Sequence, residues 1–272
     1  MSKTYFATKI VSISRRQYLK ALVSRWSTTL LMGSSLLFTC VFYAHAEQNP
    51  SFREAKINMV EIFRQMKKPT TIYCGCPIEF PKSGGYMVNL YKCGYVTRGN
   101  TERAGRIEAE HIMPAHRFGG KRECWITGRR QNCKDNDPYY LKMEADLHNL
   151  YPAVGEVNAD RNNYHFVEKI NLKKISNAKN IYSNLILGYG KCDILIDPTR
   201  HLVVPPAHSR GIIARAYLYM SRTYEIALTD DEQKRFEKWD REYPPTPNEC
   251  LRNRRITIIQ GHDNPFVTKW CH

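Results

Sequence analysis

The sequence predicts an α+β fold, on three observations. Short apolar segments of strand character alternate with segments of helical spacing, and no regular strand–helix–strand repeat orders them. Residues 1–46 differ sharply in composition from the rest, and the remaining 226 residues (47–272) suit a single domain with a full-sized core. Eight cysteines lie in that domain, an even number that reads as a disulfide framework.

Residues 1–46 hold six basic residues (Lys3, Lys9, Arg15, Arg16, Lys20 and Arg25) and no acidic one. An apolar run from about Leu30 to Tyr43 follows and ends in Ala44-His45-Ala46. That order is the order of an export signal peptide, with cleavage expected after Ala46. The run is shorter than the ~20 apolar residues of a spanning helix, so no membrane attachment is expected after cleavage. Ser14-Arg15-Arg16-Gln17-Tyr18-Leu19-Lys20 fits either a twin-arginine export signal or a long general secretory signal. Either route implies a secreted or periplasmic protein. Leu37-Phe38-Thr39-Cys40 is a poor lipoprotein site.

The first helix is expected to start with Asn49 as N-cap and Pro50 at the first helical position. Phe52, Ala55, Met59, Ile62, Phe63 and Met66 then recur at helical spacing, with Pro69 just beyond. Thr70–Cys74 reads as a strand, Ser83-Gly84-Gly85 as a turn and Met87–Thr97 as a strand or irregular. Residues 105–113 read as a strand with Glu110 and His111 on opposite faces. Residues 119–138, rich in Gly, Lys, Arg, Asn and Asp, read as a long loop. Gly155–Asn163 reads as a short helix placing Asn158 and Asn162 on one face. Asp193–Ile196 has strand character, and Pro205-Pro206 is a break. Gly211–Ala227 has helical spacing, and Thr229-Asp230-Asp231-Glu232 is a capping box opening a helix through Trp239.

The eight cysteines are Cys74, Cys76, Cys93, Cys124, Cys133, Cys192, Cys250 and Cys271, enough for four disulfides. Spacing leaves the pairing open, although Cys124 and Cys133 can close a short loop. Cys74-Gly75-Cys76 lacks the second close pair of a thiolate zinc site.

Residues 47–272 carry 35 Lys and Arg against 26 Asp and Glu, a formal charge of +9. A positive exported protein favours acidic partners, nucleic acid among them. Within this chain, Arg106-Ile107-Glu108-Ala109-Glu110-His111-Ile112-Met113-Pro114 carries the strongest chemical signal. A neutral imidazole takes a proton from water near physiological pH. Hard oxygen donors hold magnesium, which keeps several waters. His111 as base, Glu110 and Asn158 as ligands and Glu144 as support through bound water therefore fit metal-assisted phosphodiester hydrolysis. Arg130, beside Arg129, can brace a phosphate as charge builds. Lys121, Arg122, Arg129 and Arg161, with Arg252, Arg254 and Arg255, are candidate contacts to a nucleic-acid backbone. Each residue has an ordinary reading too: a lone histidine is more often structural, and Glu144-Ala145-Asp146 can be a simple acidic patch. Their combination points to chemistry.

Several segments together resemble one family. They include Tyr73-Cys74-Gly75-Cys76, Glu108-Ala109-Glu110-His111-Ile112-Met113-Pro114-Ala115, Gly128-Arg129-Arg130-Gln131-Asn132-Cys133 and Met143-Glu144-Ala145-Asp146-Leu147-His148-Asn149-Leu150. Gly155-Glu156-Val157-Asn158-Ala159-Asp160-Arg161 and Gly261-His262-Asp263-Asn264-Pro265-Phe266 continue the pattern. Their order is similar to that of the bacterial endonuclease I family of periplasmic and secreted non-specific nucleases. The resemblance implies a ββα-metal motif, two strands and a helix around one divalent ion. It implies Mg2+ (with Mn2+ or Ca2+ able to replace it) held by Glu110 and Asn158, with Glu144 in the ion's outer shell. It further implies His111 as general base, Arg130 stabilising the phosphate, and cleavage of DNA and RNA to 5′-phosphate products. The protein is expected to be a monomer that grips the phosphate backbone, which carries no sequence information. Ala109 and His116-Arg117 depart from the family, which favours bulkier or aromatic residues there. The alternative is an exported nucleic-acid-binding protein without catalysis, which would not need Glu110, His111 and Asn158 together.

Overall fold

The computed structural model of the chain describes residues 51–170 and 186–271. The export signal, its twin-arginine stretch, the cleavage point after Ala46 and the Asn49-Pro50 cap lie outside the described residues. Helix α1 (Phe52–Arg64) is capped instead by Ser51, whose hydroxyl accepts from the Glu54 amide in a reciprocal capping box. A serine three residues before a glutamate satisfies two free amides at once, which outweighs the Asn-Pro signal upstream. Ala55, Met59, Ile62 and Phe63 form the buried stripe expected of the helix.

The segment Thr70–Cys74 is not a strand. Only Thr70 bridges to Pro77, and the chain then turns through Gly75 at φ +62°. The backbone is spent on the turn: Thr71 N–H donates to Cys76 O, and Ile72 N–H to Pro152 O. Strands β1 (Ile78–Glu79) and β2 (Met87–Val88) form a small antiparallel pair. Between them Gly84 and Gly85, at φ +97° and +76°, make the expected turn.

After the short helix α2 (Thr101–Ala104) comes β3 (Ile107–His111), then α3 (Ala115–Gly119), α4 (Glu123–Asn136) and α5 (Pro138–Glu144). A 3-10 turn (Leu147–Asn149) leads into β4 (Leu150–Val154), and α6 (Gly155–Arg161) follows at once. Strands β3 and β4 pair antiparallel, with Glu110 opposite Tyr151 and His111 opposite Leu150. The order strand, strand, helix is the frame of the site. The loop expected over residues 119–138 is mostly helix. Two helical pieces meet at Gly128 and Arg129, where Arg129 takes φ +62°. The Cys124–Cys133 disulfide spans the break, and Arg122 pairs with Asp137 at the far end. These tertiary ties hold a polar sequence helical where composition alone argues against it.

A four-stranded sheet follows, built from β5 (His165–Phe166), β6 (Ile186–Tyr189), β7 (Cys192–Asp197) and β8 (Leu202–Val204) in the order β5-β8-β7-β6. Helix α7 (Ala207–Tyr224) begins directly after Pro206, four residues before the expected start, because the Pro205-Pro206 break itself supplies the N-terminal boundary. Helix α8 (Asp230–Glu242) has the expected Thr229–Glu232 capping box. Helices α9 (Pro247–Gln260) and α10 (Pro265–Thr268) close the chain.

One core joins α1, the β3–β4 ribbon and α7–α9. Phe63 meets Tyr151 edge-on with ring centres 5.6 Å apart, and Tyr217 packs on Phe236 at 4.4 Å. The disulfides are Cys74–Cys192, Cys76–Cys93, Cys124–Cys133 and Cys250–Cys271. Each stabilises by about 2–4 kcal/mol, chiefly by restricting the unfolded chain. Among the described residues no helix is long and apolar enough to cross a membrane.

Candidate active site

The β3–β4 ribbon and α6 open onto a cavity of about 850 Å³. Glu110, His111, Arg130, Asn158 and Arg161 all line it. Neighbours on a strand ordinarily face apart, yet Glu110 and His111, at the very end of β3, both reach this space.

His111 is buried and sandwiched by aromatic rings. Phe52 of α1 stacks on it with centres 4.9 Å apart, and Phe118 of α3 lies at 5.8 Å. Nε2 of His111 lies 2.8 Å from the main-chain oxygen of Glu144. A carbonyl only accepts, so Nε2 carries the proton and donates, and Nδ1 keeps a free lone pair. Burial pushes the imidazole down to about 3, and the charges of Arg130, Arg161 and Lys134 act in the same direction. The ring is therefore neutral at physiological pH.

Glu110 is 3% exposed. Its Oε1 accepts from the Tyr73 hydroxyl at 2.6 Å and pairs with Arg161 Nη1 at 3.0 Å. Burial raises this carboxyl above its ordinary range, against the opposing pull of Arg161 and Tyr73. Asn158 Nδ2 donates to Glu108 Oε2 at 2.7 Å. Among the described residues no side chain hydrogen-bonds Glu110 Oε2 or Asn158 Oδ1. One carboxylate oxygen and one amide oxygen thus remain for a hard cation. Among the described residues no three His, Cys, Asp or Glu side chains group so as to hold a metal. That donor set suits an ion that keeps most of its waters, such as magnesium, and does not suit a protein-caged zinc.

Glu144 lies behind the cavity, its side chain 1% exposed. Its Oε1 accepts from Arg130 Nε at 2.8 Å and from the Tyr140 hydroxyl at 3.1 Å. One residue thereby fixes both the imidazole, through its carbonyl, and the arginine, through its carboxylate. Arg130 also lies over the Phe52 ring, 5.6 Å from its centre.

The candidate backbone contacts divide. Lys121 and Arg129 are exposed, and Lys121 lines an adjoining groove with His116 and His165. Arg122 is engaged by Asp137 and lies over Tyr139. Arg161 is 1% exposed and is a correction to its reading as a phosphate contact. Its Nη1 and Nη2 are engaged by Glu110 and by the carbonyls of His111 and Ile112, while its buried Nε has no partner among the described residues, so it braces β3 from within. Arg252 is corrected likewise: it is buried, donates to Leu150 O at 2.8 Å and stacks on Tyr151. Arg254 and Arg255 are exposed.

Three site residues escaped the sequence reading. Glu108 has a signal, since residues two apart share a strand face and Glu108 therefore sits beside Glu110. Tyr73 stands within the family-like segment Tyr73-Cys74-Gly75-Cys76 but with no role attached, and Phe52 has no signal, since a helical apolar stripe cannot say that its first member stacks on His111.

A family model described as Endonuclease I matches residues 51–271. An extracellular deoxyribonuclease of Aeromonas hydrophila is 43% identical over 230 residues, covering 84% of this chain and 92% of the relative. A periplasmic deoxyribonuclease of the same organism is 42% identical over 244 residues, covering 89% and 94%. Endonuclease-1 of Buchnera aphidicola subsp. Acyrthosiphon pisum is 41% identical over 222 residues, covering 82% of each.

Proposed function

The chain belongs to the endonuclease I family, and from that premise we propose that it is an exported, magnesium-dependent endonuclease hydrolysing DNA, and RNA too, to 5′-phosphate ends. Its relatives' names as extracellular and periplasmic deoxyribonucleases support both the substrate and the location outside the cytoplasm. The observation that carries the reading is the meeting of Glu110, His111, Arg130 and Asn158 in one cavity, with no hydrogen-bond partner on His111 Nδ1 among the described residues.

Glu110 and Asn158 would hold one Mg2+, which when bound would neutralise phosphate charge and support the departing oxygen. Mn2+ or Ca2+ fits the same oxygens. Nδ1 of His111 takes a proton from the attacking water while the Glu144 carbonyl holds Nε2–H, so the ring neither rotates nor changes tautomer beforehand. Phe52 and Phe118 keep bulk water off the imidazole. Arg130, aimed by Glu144, meets the charge that builds on the phosphate. Exposed Lys121 and Arg129 hold the flanking backbone without reading bases. One copy of the chain carries every one of these residues, so a monomer suffices. The protein is free of the membrane once the signal is cut after Ala46.

Incubating residues 47–272 with supercoiled plasmid tests the reading. Nicked and linear products with Mg2+, and none with EDTA, support it. Equal cleavage with EDTA overturns the metal, and retardation without cleavage overturns the enzyme.

A further inference from the structure

We propose that Glu108 is a positioning residue that aims the Asn158 amide oxygen at the ion, and that Arg103 holds Glu108 for this task; the proposal rests on the metal reading above. An asparagine amide presents either an oxygen or an NH2 group to a cation, and only the oxygen binds. Something must therefore fix which way the amide points. Here Asn158 Nδ2 donates to Glu108 Oε2 at 2.7 Å, which turns Oδ1 away from the strand carboxylate. A carboxylate cannot donate, so this contact admits only one orientation of the amide.

Glu108 is two residues before Glu110 on β3 and lines the same cavity, so its own candidacy as a ligand must be weighed. Its oxygens are already spent. Oε1 accepts from Arg103 Nε at 2.8 Å, and Oε2 accepts from Arg103 Nη2 at 2.9 Å as well as from Asn158. A two-pronged arginine pair fixes a carboxylate in plane and in rotation. Glu110 has one oxygen without a described partner, whereas Glu108 has none. The two glutamates of one strand face thus divide the work: one donates to the ion, the other directs its neighbour.

The packing around the pair agrees. A Cβ placed on Gly155, the first residue of α6, would lie 2.5 Å from Arg103 O and 2.9 Å from Glu108 Oε1. The helix carrying Asn158 can approach Arg103 and Glu108 this closely only because residue 155 is glycine. α2, the start of β3 and the start of α6 are thereby one tight joint around the Arg103–Glu108–Asn158 chain.

The test is Mn2+ and Mg2+ affinity by calorimetry on residues 47–272, read alongside the metal-free melting temperature as a check on folding. Glu108→Ala is expected to weaken metal binding about tenfold or more, as loss of a ligand's supporting partner does. Glu108→Gln is expected to weaken binding less than Glu108→Ala, because its one amide oxygen can still accept from Asn158 Nδ2 although its NH2 group loses one prong of the Arg103 pair. Glu110→Gln is expected to lose binding almost completely. A Glu108→Ala protein that binds as wild type overturns the relay alone. A Glu108→Gln protein as deficient as Glu110→Gln makes Glu108 a direct ligand and also overturns it. A wild-type protein that takes up no ion overturns the metal reading, and the relay with it.

Discussion

Nε2 of His111 and the main-chain oxygen of Glu144 lie 2.8 Å apart, so the imidazole is held by backbone that no side-chain substitution at 144 removes. The Glu144 carboxylate does a separate job, holding Arg130 Nε at 2.8 Å. Glu144→Gln should therefore leave the imidazole in place and loosen the arginine. We expect it to mimic a mild Arg130 defect and not a His111 defect. Comparing the three variants in single-turnover plasmid cleavage checks this, and a Glu144→Gln loss equal to that of His111→Ala contradicts it.

Arg130→Ala should reduce the cleavage rate about 100- to 1,000-fold, the usual cost of removing one preorganised donor to transition-state charge. DNA affinity should change only a few-fold if, as proposed, exposed Lys121 and Arg129 carry the backbone contact. Saturating-substrate cleavage and a binding isotherm in Ca2+ separate the two effects.

The Cys124–Cys133 disulfide spans the break at Gly128 and Arg129 that delivers Arg130 to the cavity. Replacing both cysteines by serine should cost about 2–3 kcal/mol of stability and lower activity beyond that stability loss. Thermal unfolding and cleavage well below the melting point give the two readouts. An unchanged melting temperature would contradict the first.

Arg215 is 2% exposed and donates through Nε and Nη2 to Glu249 at 2.6 and 2.7 Å. Asp240 supplies a second carboxylate at 3.3 Å. Glu249→Ala leaves a buried guanidinium with half its counter-charge, a loss of about 3–5 kcal/mol. Urea unfolding measures it, and a cost under about 1 kcal/mol would mean that the pair is solvated.

Acid stability should depend on Glu232. Burial alone raises its carboxyl, but hydrogen bonding with His165, the Thr229 amide and the charge of Arg117 together hold it at about 2, against an ordinary 4.5. A depressed folded value stabilises above the unfolded value and is lost as pH falls through the folded one. Glu232 therefore contributes fully above pH 4.5 and progressively less toward pH 2. Glu232→Gln should lower the melting temperature near neutrality and flatten its decline across that window. Calorimetry at several pH values decides; parallel declines would contradict the assignment.

Much of this was legible in the sequence because the signals were local. The Thr229–Glu232 capping box needs only four residues, and the strand at 107–111 needs only its apolar alternation. Glu110, His111, Arg130 and Asn158 were candidates by residue type and by the family pattern, and all four line one cavity. What was illegible depends on long-range partners. The helix over Glu123–Asn136 follows from a disulfide and the Arg122–Asp137 pair, which composition does not display. Arg161 reads as a surface cation until Glu110 and two carbonyls are found around it. Thr70–Cys74 has strand composition, but the turn at Gly75 and two disulfides overrule it.

The proposed function makes His111 the base and not a binding residue. The most direct measurement compares His111→Ala with wild type for plasmid cleavage in Mg2+ and for DNA affinity in parallel. The cleavage rate of His111→Ala is expected to be at least about 100-fold lower with affinity nearly unchanged. Cleavage at the wild-type rate would contradict it.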